Sequence, residues 1–350
     1  MLQTIERLDH FTKSKVSVAA VIPLYNGSSF IREALESVLA QTEPADEIIV
    51  VDDGSTDDGP EIVKEMAAHH PIRLITKTNG GIGAARNRGI SECKSTHIAL
   101  LDQDDVWYED HLAILKRPFT NGNVSNLALV YANLDQIDKS GRMLVYRCLD
   151  SDPTPHPKTS LFACLKHDMF ILPGASLFIK SAFENVGCFD ERLSGYEDDD
   201  LFLRMFSAGF RSIYLAKSSV TKWRIYSNST SYSPRMATSR MIYFRKLVEA
   251  FPDEPRLDLY PSRDCIGPRF FSLVRTDFIG GLRLRDRHRV ERAWSDIQEI
   301  APVMRKRTRR RMKLVAPLIR SLYPTPFASL TRGVLNWASP RGTKKKKSSG

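Results

Sequence analysis

Three carboxylates, Asp102, Asp104 and Asp105, stand within four residues immediately after the apolar run Ile98-Ala99-Leu100-Leu101. An apolar run stopped by a polar cluster reads as a buried strand that hands its loop to one edge of a sheet. Carboxylates this crowded repel one another and raise one another's pKa unless positive charge sits between them. A hard divalent cation with oxygen ligands, already bound to a phosphate, is the usual answer. A solvated acidic turn after a strand is the other reading of the same residues. A second cluster, Glu197-Asp198-Asp199-Asp200, opens a segment with Leu201, Phe202, Met205 and Phe206 at helical spacing. Negative charge in a first helical turn suits the helix dipole. Four acids exceed what a cap needs, and the surplus points to a reacting proton or a cation nearby.

The elements that must position these groups alternate between strand and helix. Val16–Ile22 is a short, nearly all-apolar run, expected as a central parallel strand and ended by Pro23-Leu24-Tyr25-Asn26-Gly27. Phe30, Ile31, Ala34, Leu35, Val38 and Leu39 then recur at helical spacing. Strands are expected at 47–51, 72–75, 97–101, 127–132 and 176–179, and helices at 59–69, 84–91, 108–116 and after Gly195. Short loops between alternating strands and helices predict an open, mostly parallel α/β sheet flanked by helices. Ligands of such sheets bind beyond the carboxyl ends of the strands. Tyr25-Asn26, Asp52-Asp53 and Asp102 to Asp105 all follow strand ends, so they are expected to face one crevice.

Gly80-Gly81-Ile82-Gly83 lacks the Lys-Ser/Thr pair of a P-loop and follows the third strand, not the first, so it fits no dinucleotide fingerprint. It is read either as a plain turn and cap or as a helix start whose N–H groups face a phosphate. Asp138-Lys139-Ser140-Gly141 reads as a hairpin turn. The stretch 151–157, with three prolines, is excluded from regular structure and expected as a mobile loop or a linker between halves.

Taken together, five blocks in order resemble one family. They are Val21-Ile22-Pro23-Leu24-Tyr25-Asn26, Val51-Asp52-Asp53-Gly54-Ser55-Thr56-Asp57, Gly83-Ala84-Ala85-Arg86-Asn87-Arg88-Gly89, Leu101-Asp102-Gln103-Asp104-Asp105 and Gly195-Tyr196-Glu197-Asp198-Asp199-Asp200-Leu201. They look like the family-two inverting glycosyltransferases of the GT-A fold, over roughly residues 16 to 230. The resemblance implies a metal-dependent transfer of a hexose from a nucleotide-diphosphate sugar, a UDP-sugar, to a hydroxyl of a saccharide or lipid-linked acceptor. It puts Mn2+ or Mg2+ on Asp104, with Asp105 as a second ligand, and Asp102 near the ribose or sugar. It places Pro23, Tyr25, Asn26 and Asp53 at the uridine, with Asp52 as the alternative to Asp53, and adds Asn79 and Arg86 to the donor side. Asp198 is the implied general base, beside Glu197. Many relatives carry a His in a block that here reads Trp223-Arg224-Ile225-Tyr226-Ser227-Asn228, so Tyr226 takes its place. Tyr is a poor metal ligand; Arg224 is left as a phosphate holder or a surface residue after a strand.

The resemblance implies an N-terminal extension at 1–15, a nucleotide-sugar-binding half at 16–125 and an acceptor-binding, catalytic half at 126–235. A helical basic region at 236–343 and a disordered tail at 344–350 complete the expected organisation. The last fifty residues hold fourteen Lys and Arg and no Asp or Glu, so the remainder is net negative although the whole chain is +10. Basic helical stretches at 283–289 and 305–313, followed by an apolar run 314–323 broken at Pro317, suit a peripheral anionic membrane surface. A helical lid on the catalytic domain is the other reading.

Hydrophobic content of 42% and charged content of 26% are those of a globular protein, and no apolar run reaches the length of a membrane span. Five scattered cysteines without a CxxC pair argue against zinc or a disulfide framework and for a reducing cytoplasm. Two other functions compete. A nucleotidyltransferase would favour a Lys-bearing, Gly-rich loop where Pro23-Leu24-Tyr25-Asn26 stands. A non-catalytic sugar-nucleotide or nucleic-acid binder would not need Asp102, Asp104 and Asp198, so nucleic acid is the less favoured partner.

Overall fold

The structure, a computed structural model, describes residues 16–122, 124–152, 154–226 and 234–322. It divides into two compact units, one of residues up to 161 with 169–239, the other of 162–168 with 240 onward. The expected extension at 1–15 and the Lys-rich end at 344–350 lie outside the described residues.

In the first unit, β1 (Val18–Leu24) is buried along its whole length. It is followed by α1 (Ile31–Leu39), β2 (Glu47–Asp52), α2 (Gly59–Ala67), β3 (Ile72–Thr76), α3 (Ile82–Glu92) and β4 (His97–Leu100). β1 pairs in parallel with β2 and β4, and β2 with β3, so the carboxyl ends of all four strands reach one edge. Strands covered on both faces need continuous apolar sequence, which Val18-Ala19-Ala20-Val21-Ile22 and Ile48-Ile49-Val50-Val51 supply. α1 buries Ile31, Ala34, Leu35 and Val38, the positions its spacing predicts. α3 lies so close to β1 that a Cβ on Gly89 would collide with Val21 Cγ1.

The unit continues through β5 (Val106–Trp107), α4 (His111–Asn121), β6 (Leu127–Ile137), β7 (Met143–Val145), β8 (Ser176–Ile179), α6 (Lys180–Val186), α7 (Glu197–Ser207) and β9 (Arg211–Arg224), while α5 (Leu161–Lys166), between β7 and β8 in the chain, falls in the second unit from Phe162 on. The sheet order is β3-β2-β1-β4-β8-β6-β9-β5, with β7 on β6. β8 enters antiparallel to both β4 and β6, while β6 and β9 run parallel. The result is the mixed sheet flanked by helices that the alternating pattern predicts.

Three local expectations change. α4 runs past 116 to Asn121 with Pro118 inside, and stops where Gly122 turns left-handed at φ 65°. β9 has no strict alternation because its pairing with β6 shifts register, so it is invisible to a period-two reading. The stretch 151–157, of which Pro153 lies outside the described residues, carries side-chain hydrogen bonds: Asp152 accepts from Thr154 and Lys158 and meets His156, whose other ring nitrogen lies 3.0 Å from the Tyr131 hydroxyl of β6.

The second unit holds the remainder of α8 (Pro234–Ala250), with α9 (Gly267–Leu284), α10 (Arg287–Ile300) and α11 (Lys306–Leu322). Tyr243, Phe270, Phe271, Phe278, Val290 and Ile297 form its core. The region expected as helical and basic at 236–343 is helical through much of its described length up to Leu322, and 323–343 lie outside the described residues. α11 carries Pro317 inside it, where the sequence predicts a break. Among the described residues no helix is long and apolar enough to cross a membrane.

Candidate active site

The loops at the carboxyl ends of β1, β2 and β4 are tied to one another by side chains. Tyr25 N–H donates to Gln103 Oε1 at 2.7 Å, and Gln103 Nε2 donates to the Tyr25 carbonyl at 3.0 Å. This reciprocal amide pair requires Gly27, where a Cβ would overlap the Gln103 amide. Asn26, with φ 49°, accepts from the Thr56 N–H and hydroxyl and joins the β1 loop to the β2 loop. Pro23 is buried in β1 opposite Val51, whereas Tyr25 is 47% exposed. Asp52 Oδ1 accepts from Ser55 N–H. Both oxygens of buried Asp53 are engaged, by Lys77 Nζ at 2.6 Å and by the Gly80 and Gly81 N–H groups at 2.9 and 2.7 Å. Those bonds fix the loop that carries exposed Asn79 into α3.

The acidic loop after β4 is held from across the sheet. Arg224, at the end of β9 and 3% exposed, donates its N–H to Asp105 Oδ1 and its Nε to the Asp104 carbonyl. Its Nη1 donates to the Asp138 and Lys139 carbonyls, and its Nη2 to Glu33 at 2.7 Å. With every guanidinium nitrogen used in this way, a phosphate could be held by Arg224 only by breaking bonds that brace the loop. Two residues on, the Tyr226 hydroxyl donates to Asp104 Oδ2 at 2.8 Å, and its ring packs on Phe30 at 5.6 Å between centroids.

The four acids that open α7 have four different partners. Asp200 accepts from Arg204, which also binds the Val186, Gly187 and Cys188 carbonyls. Asp199 accepts from Met169 N–H, and half-buried Asp198 accepts from Asp199 N–H. Glu197, buried, accepts from Arg86 Nη1 at 3.0 Å. The same guanidinium donates through Nη2 to Asp102 Oδ1 at 2.7 Å. Arg86 projects from α3, is 2% exposed, and lies 5.3 Å from the centroid of the Phe189 ring. One acid after β4, Asp102, and one at the start of α7, Glu197, therefore meet on one cation.

Burial raises the Asp104 carboxyl, and the Asp102 charge adds to it. Asp105 is pushed up further by complete burial and by its two acidic neighbours. Glu197 is raised by burial, with Arg86 pulling the other way. Burial works against the Arg86 charge, but Asp102 and Glu197 more than offset it and hold the proton firmly. The Tyr226 hydroxyl is raised by burial and by Asp104. Crowded, desolvated oxygen donors of this kind suit a hard divalent cation. The described residues hold no ready-made group of three or more His, Cys, Asp and Glu that could cage one. Mg2+-type ions are commonly held by one or two carboxylates together with substrate phosphates.

Gln103, Lys77, Glu33 and Phe30 were not among the residues the sequence singled out. Gln103 alone carried a signal, being enclosed by the acidic loop. His97 and His111 are buried neutral imidazoles in the packing, their pKa values lowered by burial to about 4 and about 3.

The comparisons with known proteins agree with this geometry. The family model "Glycosyl transferase family 2" matches residues 19–187. An uncharacterised glycosyltransferase of Rickettsia bellii is 34% identical over 219 residues, 61% of this chain and 30% of that protein. One from Rickettsia prowazekii is 34% identical, the alignment covering 61% of this chain and 65% of its own length. Chondroitin synthase of Escherichia coli is 31% identical over 58% of this chain and 29% of its own length. The chain thus spans between about a third and two thirds of the first of these relatives. Among solved structures, S. aureus TarS 1-349 in complex with UDP-GlcNAc matches with a TM-score of 0.64 at 18% identity, covering 91% of this chain and 90% of that one. The mannosyltransferase PcManGT of Pyrobaculum calidifontis, in complex with GDP-Man and Mn2+, matches with a TM-score of 0.52 at 18% identity, covering 93% and 86%. At such identity the likeness shows the GT-A fold. The sheet has that fold, and residues 19–187, which include Arg86 and Asp102 and end before Glu197, match the glycosyltransferase family 2 model.

Proposed function

We propose that this chain transfers a sugar from a UDP-sugar to a hydroxyl of a saccharide or lipid-linked acceptor, with inversion at the anomeric carbon. The observation that carries the reading is the Arg86 bridge, which brings Asp102 of the donor-side loop and Glu197 of the acceptor-side helix to opposite ends of one guanidinium. Departure of a nucleoside diphosphate needs charge neutralisation at one face of the sugar, and attack by an alcohol needs a base at the other. Asp104, with Asp105, would hold Mn2+ or Mg2+; the cation, when bound, neutralises the charge that builds on the departing diphosphate. Asp102, held by Arg86, would lie beside the sugar or ribose. Asp198 accepts the acceptor's proton as the new C–O bond forms and the bond to the diphosphate breaks. Attack from the face opposite the leaving group inverts the centre without a covalent enzyme intermediate, as when water attacks in an inverting glycosidase.

Pro23, Tyr25, Asn26 and the β2-end acids line the end of the crevice assigned to the uridine, with Asn79 in the loop pinned by Asp53. Arg224 acts by bracing the acidic loop. The solved complexes of TarS with UDP-GlcNAc and of PcManGT with GDP-Man and Mn2+ support the donor class and the metal, and the chondroitin synthase relatives support a saccharide acceptor.

The test is thermal shift with a panel of nucleotide sugars with and without Mn2+, followed by UDP release with saccharide acceptors. A bound donor stabilises the fold by mass action, by about 2.7 kcal/mol at a hundredfold excess over Kd. We expect one or a few UDP-sugars to raise the Tm, with a larger rise when Mn2+ is present. No shift with any donor, in metal or without, overturns the reading.

A further inference from the structure

The helical unit carries a surface that sugar transfer does not use. α11 turns Thr308 and Met312 inward, 7% and 4% exposed, while Lys306, Arg310, Lys313 and Leu314 are exposed. Positions 306, 310, 313 and 314 fall at the spacing of one helix face, so the outward face is cationic and carries a leucine 72% exposed. The turn between α9 and α10 repeats the composition: Arg283 and Arg285 flank Leu284, which is 70% exposed. Three acids of this unit are taken by other arginines. Asp264 pairs with Arg263 and Arg305, Asp277 with Arg240 and Arg289, and Glu299 with Arg245. Among the described residues, none forms an ion pair with Lys306, Arg310, Lys313, Arg283 or Arg285.

We propose that this face of α11 docks on an anionic lipid surface, its cations at the headgroups and Leu314 entering the acyl boundary. Cations without acidic partners call for an anionic partner. An exposed leucine among them gains nothing from a phosphate backbone but gains free energy in a lipid interface. The basic charge of the chain beyond residue 300, which includes no acid, adds to the same attraction.

The experiment is co-sedimentation of the full chain with vesicles of phosphatidylcholine alone and of phosphatidylcholine with one quarter phosphatidylglycerol, in rising NaCl. Binding to the anionic vesicles alone, weakening with salt, is expected. Each cation at such a surface contributes roughly fivefold in affinity, so the triple replacement Lys306→Gln, Arg310→Gln and Lys313→Gln lowers it about a hundredfold. Leu314→Ser lowers it about tenfold. All four positions are exposed, and an unchanged far-ultraviolet circular dichroism spectrum checks that the variants fold. Equal binding to both vesicles overturns the proposal, as does loss of binding when only Lys344–Lys347 are replaced by Ser. So does an RNA oligonucleotide that displaces the vesicles while Leu314→Ser changes nothing.

Discussion

Replacing Arg86 by Gln removes the cation shared by Asp102 and Glu197 while keeping much of the side chain's volume. Taking one partner from a buried ion pair costs roughly 3–5 kcal/mol, because the charge left behind has neither water nor counterion. Here the cost is unequal. The Asp102 side chain is 32% exposed and regains water, whereas Glu197, at 10%, does not. The loss is therefore set mainly by Glu197 and falls near the low end, about 3 kcal/mol at pH 7. Arg86→Lys keeps the charge but cannot fork to two carboxylates, and loses about half as much. The loss also depends on pH. Glu197 is already held above its ordinary value by burial, with Arg86 opposing. Without Arg86 it rises further, so an acid with a raised folded pKa destabilises progressively as pH climbs through its unfolded value. The deficit of Arg86→Gln should thus be smaller at pH 5 than at pH 7. The assay is urea unfolding of wild type, Arg86→Gln, Glu197→Gln and the double variant, without added metal. We expect a coupling energy of about 1.5 kcal/mol or more in the cycle. A loss under about 0.5 kcal/mol, or additive single effects, would mean that the two acidic clusters are energetically separate, and the single-site argument would fail.

Asp198→Asn should abolish sugar transfer while nucleotide binding, read by calorimetry with UDP, stays within about twofold; full transfer by this variant removes Asp198 as the base. Tyr226→Phe deletes the hydrogen bond to Asp104 Oδ2, and loss of such a partner costs roughly tenfold or more in metal affinity. Mn2+ titration followed by electron paramagnetic resonance checks this, and unchanged affinity refutes it. His97 and His111 stay neutral in the folded chain down to about pH 4 and about pH 3. The unfolded chain protonates them near pH 6.5, so it binds more protons and stability falls as pH drops through that value. Each should account for about 2 kcal/mol between pH 7 and pH 5. Denaturant midpoints at the two pH values for wild type and His97→Gln test it, the variant being expected to lose less on acidification.

Much of this site was legible because the parallel half of the sheet is built from continuous apolar runs that stop at polar residues. Val18 to Leu24, Glu47 to Asp52 and His97 to Leu100 each announce where their loops must lie. The half of the sheet with mixed pairing was harder. β5 is two residues long, and β9 changes register against β6 three times, so neither produces a period. The roles of individual polar groups were least visible. Arg224 read in sequence as a phosphate holder or a surface residue, yet three backbone carbonyls, the Asp105 carboxylate and Glu33 engage it, because residues far apart converge on it through the fold. Asp53 stood beside Asp52 with nothing to rank them. The Lys77 ammonium and the Gly80 and Gly81 N–H groups, brought round by β3, distinguish the surroundings of Asp53. In the proline-rich stretch 151–157 proline excludes ladders, so the hydrogen bonds among Asp152, His156 and Tyr131 left no periodic trace in the sequence.

The position of β8 in the sheet has a consequence for how the protein is made. β4 ends at Leu100, but the strand that covers its open side begins only at Ser176. A ribosome adding about 5–20 residues per second leaves that edge bare for several seconds after β4 has emerged, with its N–H and C=O groups ready to pair with a neighbouring nascent chain. A fragment that stopped at residue 125 would keep this exposure permanently, so it should accumulate as aggregate, whereas one extended through β8 closes the edge.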